Sequence, residues 1–88
     1  MSWSLSKVAT QQEVRKYLDE EAPKVIAHVQ GDERALADQA LGFARAVVAA
    51  NPAGNRVSLG MYGSAIFKDG VEQVAQSVSI SITGGLPS

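Results

Sequence analysis

Cysteine is absent from this 88-residue chain, and histidine occurs once, at His28. Disulfides are thereby excluded, and so is an ordinary zinc site, which draws most of its ligands from those two residue types. Charge of either sign is scarce. Eight basic residues against nine acidic ones leave a net charge of −1, which gives no sequence-independent grip on nucleic-acid phosphates and little self-repulsion between copies. The most apolar stretch, Phe43 to Ala50, is broken by Arg45 and falls far short of the roughly 20 residues needed to span a bilayer. The opening Met1-Ser2-Trp3-Ser4 has neither the basic start nor the apolar core of a signal peptide. A chain of this length forms one domain, residues 1–88, near the size at which a single core yields only a few kcal/mol. Without disulfides or metal, good packing or a partner subunit must supply the remainder.

What is present is organised around Arg56 to Thr83, two strand-favouring runs joined by Lys68-Asp69-Gly70-Val71. Asp-Gly is a strong hairpin signal, because both central residues of a type I′ turn need positive φ. With Asp69 and Gly70 as the loop, Val57, Leu59 and Met61 fall opposite Ile82, Ile80 and Val78, and Ala65 falls opposite Val74. All of them share one face, and a slip of one residue would send half to the other side.

Upstream, Ser2-Trp3-Ser4-Leu5-Ser6 alternates with period two and predicts a short strand. Thr10-Gln11-Gln12-Glu13 is a capping box, after which Val14, Tyr17, Leu18, Ala22, Val25, Ile26 and Val29 form one apolar helical stripe. Pro23 predicts a kink or break near Glu21, and the continuing phase favours a kink. Gly31 is expected to end that helix and Asp32 to cap the next. From Arg34 to Ala50 there are two apolar rows, Leu36, Ala40, Phe43, Val47 and Ala37, Leu41, Ala44, Val48. That is more than one sheet face needs, so this helix is either sandwiched or turned toward another chain. Asn51-Pro52-Ala53-Gly54-Asn55 then leads into the hairpin. The fold class is α+β, in the order β-α-α-β-β: a three-stranded antiparallel sheet with two helices packed on one face.

The opposite sheet face would be built almost wholly from Ser, Thr and Gly: Ser2, Ser4, Ser6, Ser58, Gly60, Tyr62, Ser64, Ala75, Ser77, Ser79, Ser81 and Thr83. Such a face is either plainly solvated or, since its charges sit only at the ends, in Arg56, Lys68 and Glu72, a contact surface. Gly60-Met61-Tyr62-Gly63 marks either relief of crowding and added twist or a close backbone approach by a ligand. Tyr62 offers a ring for stacking and a hydroxyl for hydrogen bonding. The glycines are not part of a phosphate-binding loop, which would lead from a strand into a helix carrying Lys-Ser/Thr. Nor does a catalytic set assemble. His28 sits near the apolar stripe as a partly buried surface histidine, and Asp19, Glu20 and Glu21 point around their helix without converging.

The Ser-Trp-Ser-Leu-Ser-Lys opening, the capped helix pair and the closing Ser77-Val78-Ser79-Ile80-Ser81-Ile82 resemble small bacteriophage proteins of unassigned function, especially those of actinobacterial phages. The resemblance implies an accessory or virion protein that acts by binding and not by chemistry. The expectation that follows is a non-enzymatic homo-oligomer in the host cytoplasm, without cofactor, nucleic-acid polymer or membrane as partner, that captures a host protein or a small anionic, nucleotide-like ligand where subunits meet. Tyr62 would stack, backbone amides near Gly60 and Gly63 would bind, and Arg56 or Lys68 would supply charge. The alternative is a virion component, a capsid decoration or head-tail protein, located in the particle.

Overall fold

The computed structural model describes residues 2–84, apart from the side chains of Ile66, Phe67 and Glu72. Its elements are β1 (Ser2–Thr10), α1 (Gln11–Glu20), α2 (Ala22–Val25), α3 (Gly31–Ala49), β2 (Arg56–Lys68) and β3 (Val71–Thr83). The three strands form one antiparallel sheet in the order β1-β2-β3, and the helices cover a single face of it, as the α+β reading requires.

The hairpin adopts the register that the side-chain pattern and the turn dictate together. Asp69 and Gly70 have φ of 55° and 77°, the left-handed pair that a type I′ turn demands. Val57 pairs with Ile82, Leu59 with Ile80, Met61 with Val78 and Ala65 with Val74. On β1, Trp3, Leu5 and Ala9 point inward and are buried. They join Val57, Leu59 and Met61 in a core closed from above by Val14, Leu18, Ile26, Val29, Leu41 and Val48.

β1 runs four residues past the expected Ser6. The alternation fails there because Lys7 faces inward while Val8 faces out and is 54% exposed. Lys7 is tolerated because its stem lies along the sheet while Nζ reaches to 6.0 Å from the centre of the Tyr17 ring. Thr10 then caps α1, its hydroxyl oxygen accepting from the Glu13 N–H at 3.4 Å and its O–H donating to the Glu13 carboxylate at 2.9 Å.

Around Pro23 the helix breaks into separate elements, α1 and α2, where the continuing phase favours a kink. Glu21 stays in helical geometry and its N–H still donates to Tyr17 O, while α2 restarts with Pro23 in its first turn. The helical stretch stops at Val25, however, and Ile26 to His28 lie in turns, so Gly31 does not end the first helix. It opens α3 with φ of 66°, behind Gln30 and not Asp32 as N-cap. Arg34 ties α3 back to the turn that follows α2: its Nη1 donates to Ile26 O at 3.2 Å, which also accepts from the Val29 N–H at 3.0 Å, and to Val29 O at 3.4 Å. Arg45 fastens the same flank of α3 to α1, donating to Leu18 O at 3.0 Å and pairing with Asp19 at 3.3 Å. A third tie is buried: Gln11 Nε2 donates to Val48 O at 3.0 Å.

These ties decide how α3 is turned. With Arg34 and Arg45 held toward α1 and α2, Ala37, Leu41, Ala44 and Val48 face the sheet and are buried. Leu36, Phe43 and Val47 come out on the flank away from α1, above β3, half-buried except for Phe43, which is 59% exposed.

Candidate functional site

The outward sheet face is where the sequence places its binding residues, and the strand pairing sets out its rows. Ser4, Tyr62 and Ser77 form one row across the three strands; Ser6, Gly60 and Ser79 form the next; Val8, Ser58 and Ser81 follow; and Thr10, Arg56 and Thr83 close that end. Tyr62 stands in the middle, 57% exposed. Beside it, a Cβ added to Gly60 would meet nothing within 4 Å, so the space next to the ring is open, with Ser6 and Ser79 on either side of the glycine. Sequence reasoning missed that Val8 and Thr10 join this face, since a lysine in the inward position hid the continued alternation.

The five residues expected to bind do not come together in one chain. Arg56 lies six residues from Tyr62 along β2, and Lys68 six residues the other way, about 20 Å in each direction at the usual strand rise. Lys68 is followed by Asp69 at the turn, which offsets its charge. Gly63 belongs to the inward face, where Trp3 covers it: an added Cβ would clash with Trp3 Nε1 and lie 2.7 Å from Cε2 and 2.9 Å from Cζ2. The glycine is there to seat the indole ring flat on the strand, a known way for an aromatic cross-strand neighbour to stabilise a strand glycine. Because β2 is the central strand and pairs on both sides, the amides of Gly60 and Gly63 are committed to the sheet ladders.

Other chemistry is sparse. Two shallow concavities lie on the far side of α1, one lined by Gln12, Arg15, Lys16, Asp19 and Glu20 and one including Lys7, Glu13 and Tyr17; neither contains a residue of the sheet's outer face. His28 is exposed, not partly buried. Among the described residues no three His, Asp or Glu side chains gather as metal ligands, and no helix is long and apolar enough to cross a membrane. Glu33, 6% exposed in the first turn of α3, holds a buried Oε1 without a hydrogen-bond partner.

The feature that strand order adds is the open edge of β3. Its inward residues Val78, Ile80 and Ile82 are only partly buried, whereas their partners Met61, Leu59 and Val57 on β2 are 2%, 2% and 0% exposed. The sequence signal for it is the second apolar row of α3, which overhangs this side. Neither a protein-family model, nor a curated protein, nor a solved structure matches this chain.

Proposed function

We propose that this chain is a non-enzymatic, homo-oligomeric accessory protein of the phage type that captures a host factor on the hydroxyl-lined face of its sheet, where subunits meet. The observation that carries the reading is Tyr62, 57% exposed beside the open space at Gly60, between one row of Ser6, Gly60 and Ser79 and another of Ser2, Ser64 and Ala75. An exposed aromatic ring bordered by hydroxyls suits a flat polar ligand that stacks. A small anionic, nucleotide-like molecule is the class proposed, and its charge must be met by cations of more than one chain, because Arg56 and Lys68 stand too far from Tyr62 within one.

The test is a thermal-shift series with mono-, di- and cyclic dinucleotides. A ligand at 100 times its Kd stabilises the folded state by about 2.7 kcal/mol, several degrees for a domain of this size. Tyr62→Ala should abolish the shift without lowering the unliganded melting temperature. No shift with any nucleotide overturns the ligand class.

A second reading, a virion component, is favoured by one observation: both outer strands of the sheet, β1 and β3, leave an edge open, so copies could add without closure. Detection of the chain in purified particles by mass spectrometry, with no nucleotide response, would select it.

A further inference from the structure

We infer that the open edge of β3 is paired with β3 of a second copy about a two-fold axis, giving a continuous six-stranded antiparallel sheet with the two α3 helices packed across the seam. This rests on the oligomeric part of the reading above and names its partner and geometry.

The backbone argument comes first. A two-residue turn makes Lys68 and Val71 a hydrogen-bonded pair, so from there the residues of β3 alternate. Ala75, Ser77, Ser79 and Ser81 spend their amides on β2, whereas Val74, Gln76, Val78, Ile80 and Ile82 direct N–H and C=O toward the open edge. Natural edges of this length are blunted by lysine, proline or a bulge. Residues 73–83 carry no charged side chain and no proline, and they pair with β2 without a bulge.

The side chains agree with the backbone. α3 packs against both β2 and β3. Centred over that seam, two copies of α3 would stand about 10 Å apart across a new β3–β3 seam, two strand spacings and the usual distance between packed helices. Leu36, Phe43 and Val47 occupy that flank, and Val78, Ile80 and Ile82 lie beneath it. The footprint is modest: α3, 19 residues or about 28 Å long, on a body 17 Å in its smallest extent presents roughly 500 Å² of two-layer edge per copy, about the 1,000 Å² in total that a specific interface needs.

The pairing also extends the outer face. With the axis at Ser77, the midpoint of β3, Tyr62 shares a row with Ser77 and, beyond the axis, with Tyr62 of the partner subunit. Arg56 shares a row with Thr83 and then with Val71 and Lys68 of the partner subunit. Two cations about 40 Å apart in one chain come within about 14 Å, three strand spacings, at each end of the face, while the tyrosine pair stays about 20 Å from them.

The experiment is light scattering and sedimentation of the wild type, Phe43→Lys and Gln76→Pro at 1–100 µM, with circular dichroism to check folding. The expected results are a species of twice 9.2 kDa for the wild type, an increase of about 30-fold or more in the dimer Kd for Phe43→Lys, and a monomer for Gln76→Pro, whose lost N–H faces the edge and not β2. In a chain without cysteine, Ser77→Cys with Ser79→Cys should form a disulfide-linked dimer on mild oxidation, and Ser4→Cys on β1 should not. That readout decides the matter even if Gln76→Pro does not fold. A wild-type monomer at 100 µM overturns both this inference and the oligomeric reading. A wild-type dimer that survives Phe43→Lys and does not crosslink through β3 overturns the edge pairing alone.

Discussion

The two glycines that flank Met61-Tyr62 fall on opposite faces of β2, and the structure predicts opposite effects when each gains a methyl group. At Gly63 the methyl would lie 2.7 Å from Cε2 and 2.9 Å from Cζ2 of Trp3, well inside contact distance, and Trp3 is 5% exposed with little room to retreat. Overpacking of this kind costs about 1–3 kcal/mol, and for a domain of this size each kcal/mol moves the melting temperature by about 4–8 °C. Gly63→Ala should therefore lower it by about 5 to 20 °C. At Gly60 the same methyl meets nothing within 4 Å and removes the conformational penalty of a strand glycine, so Gly60→Ala should raise stability by roughly 0.5 kcal/mol. Calorimetry or urea unfolding of the two variants reads both signs. The control is a double-mutant cycle: Trp3→Ala alone should cost about 3–5 kcal/mol, but in that background Gly63→Ala should cost almost nothing, since the clashing ring is gone. Equal shifts at the two positions, or an undiminished cost of Gly63→Ala without Trp3, would refute the account of the ring seated on the strand.

Other perturbations test the remaining joints of the fold. Gln11→Ala removes a buried side-chain donor from Val48 O, which keeps the Asn51 N–H at 3.2 Å, and should cost about 0.5–1.5 kcal/mol in urea unfolding. Glu33→Met replaces a carboxylate that buries an unpartnered oxygen with an apolar chain of similar length and should raise the melting temperature, by roughly 1 kcal/mol of added stability. Gly70→Ala puts a Cβ on a residue at φ 77° and should destabilise by about 1–2 kcal/mol, with hydrogen exchange accelerated most near the turn.

The hairpin was legible because two independent constraints agree on it: positive φ at Asp69-Gly70 and the pairing of Val57, Leu59 and Met61 with Ile82, Ile80 and Val78. The capping box was legible because it is wholly local. The end of β1 was not, because Lys7 breaks the alternation and only a partner distant in sequence, Tyr17, explains it. The boundary between α2 and α3 was hidden for a similar reason. A glycine reads as a helix end, and the side chain that holds the turn after α2, Arg34, comes from the next helix. For the candidate site, the sequence could place Tyr62 and Gly60 on one face by parity. It could equally have shown that Gly63 has the other parity. Only strand order, however, reveals that the amides of β2 are used on both sides and that β3 lies at an edge.

That edge connects the fold to its proposed work. A single α3 is turned so that its basic flank is spent on α1 and α2, which leaves the apolar flank with Phe43 above strand residues that are themselves only half covered. Burying those residues within one chain would need another strand and helix, and residues 2–84 supply neither. A second copy supplies both at once, in the one arrangement where every alternate amide of β3 finds a partner of the same kind. The same step extends the hydroxyl-lined face. One chain offers an isolated tyrosine with its cations about 20 Å away; in the proposed dimer a pair of tyrosines flanks the axis and, at each end and still about 20 Å from them, Arg56 shares a row with Lys68 of the partner subunit. The proposed assembly rests on a single strand, and a variant that opens the β3 seam should return the chain to a monomer with Tyr62 as exposed as before.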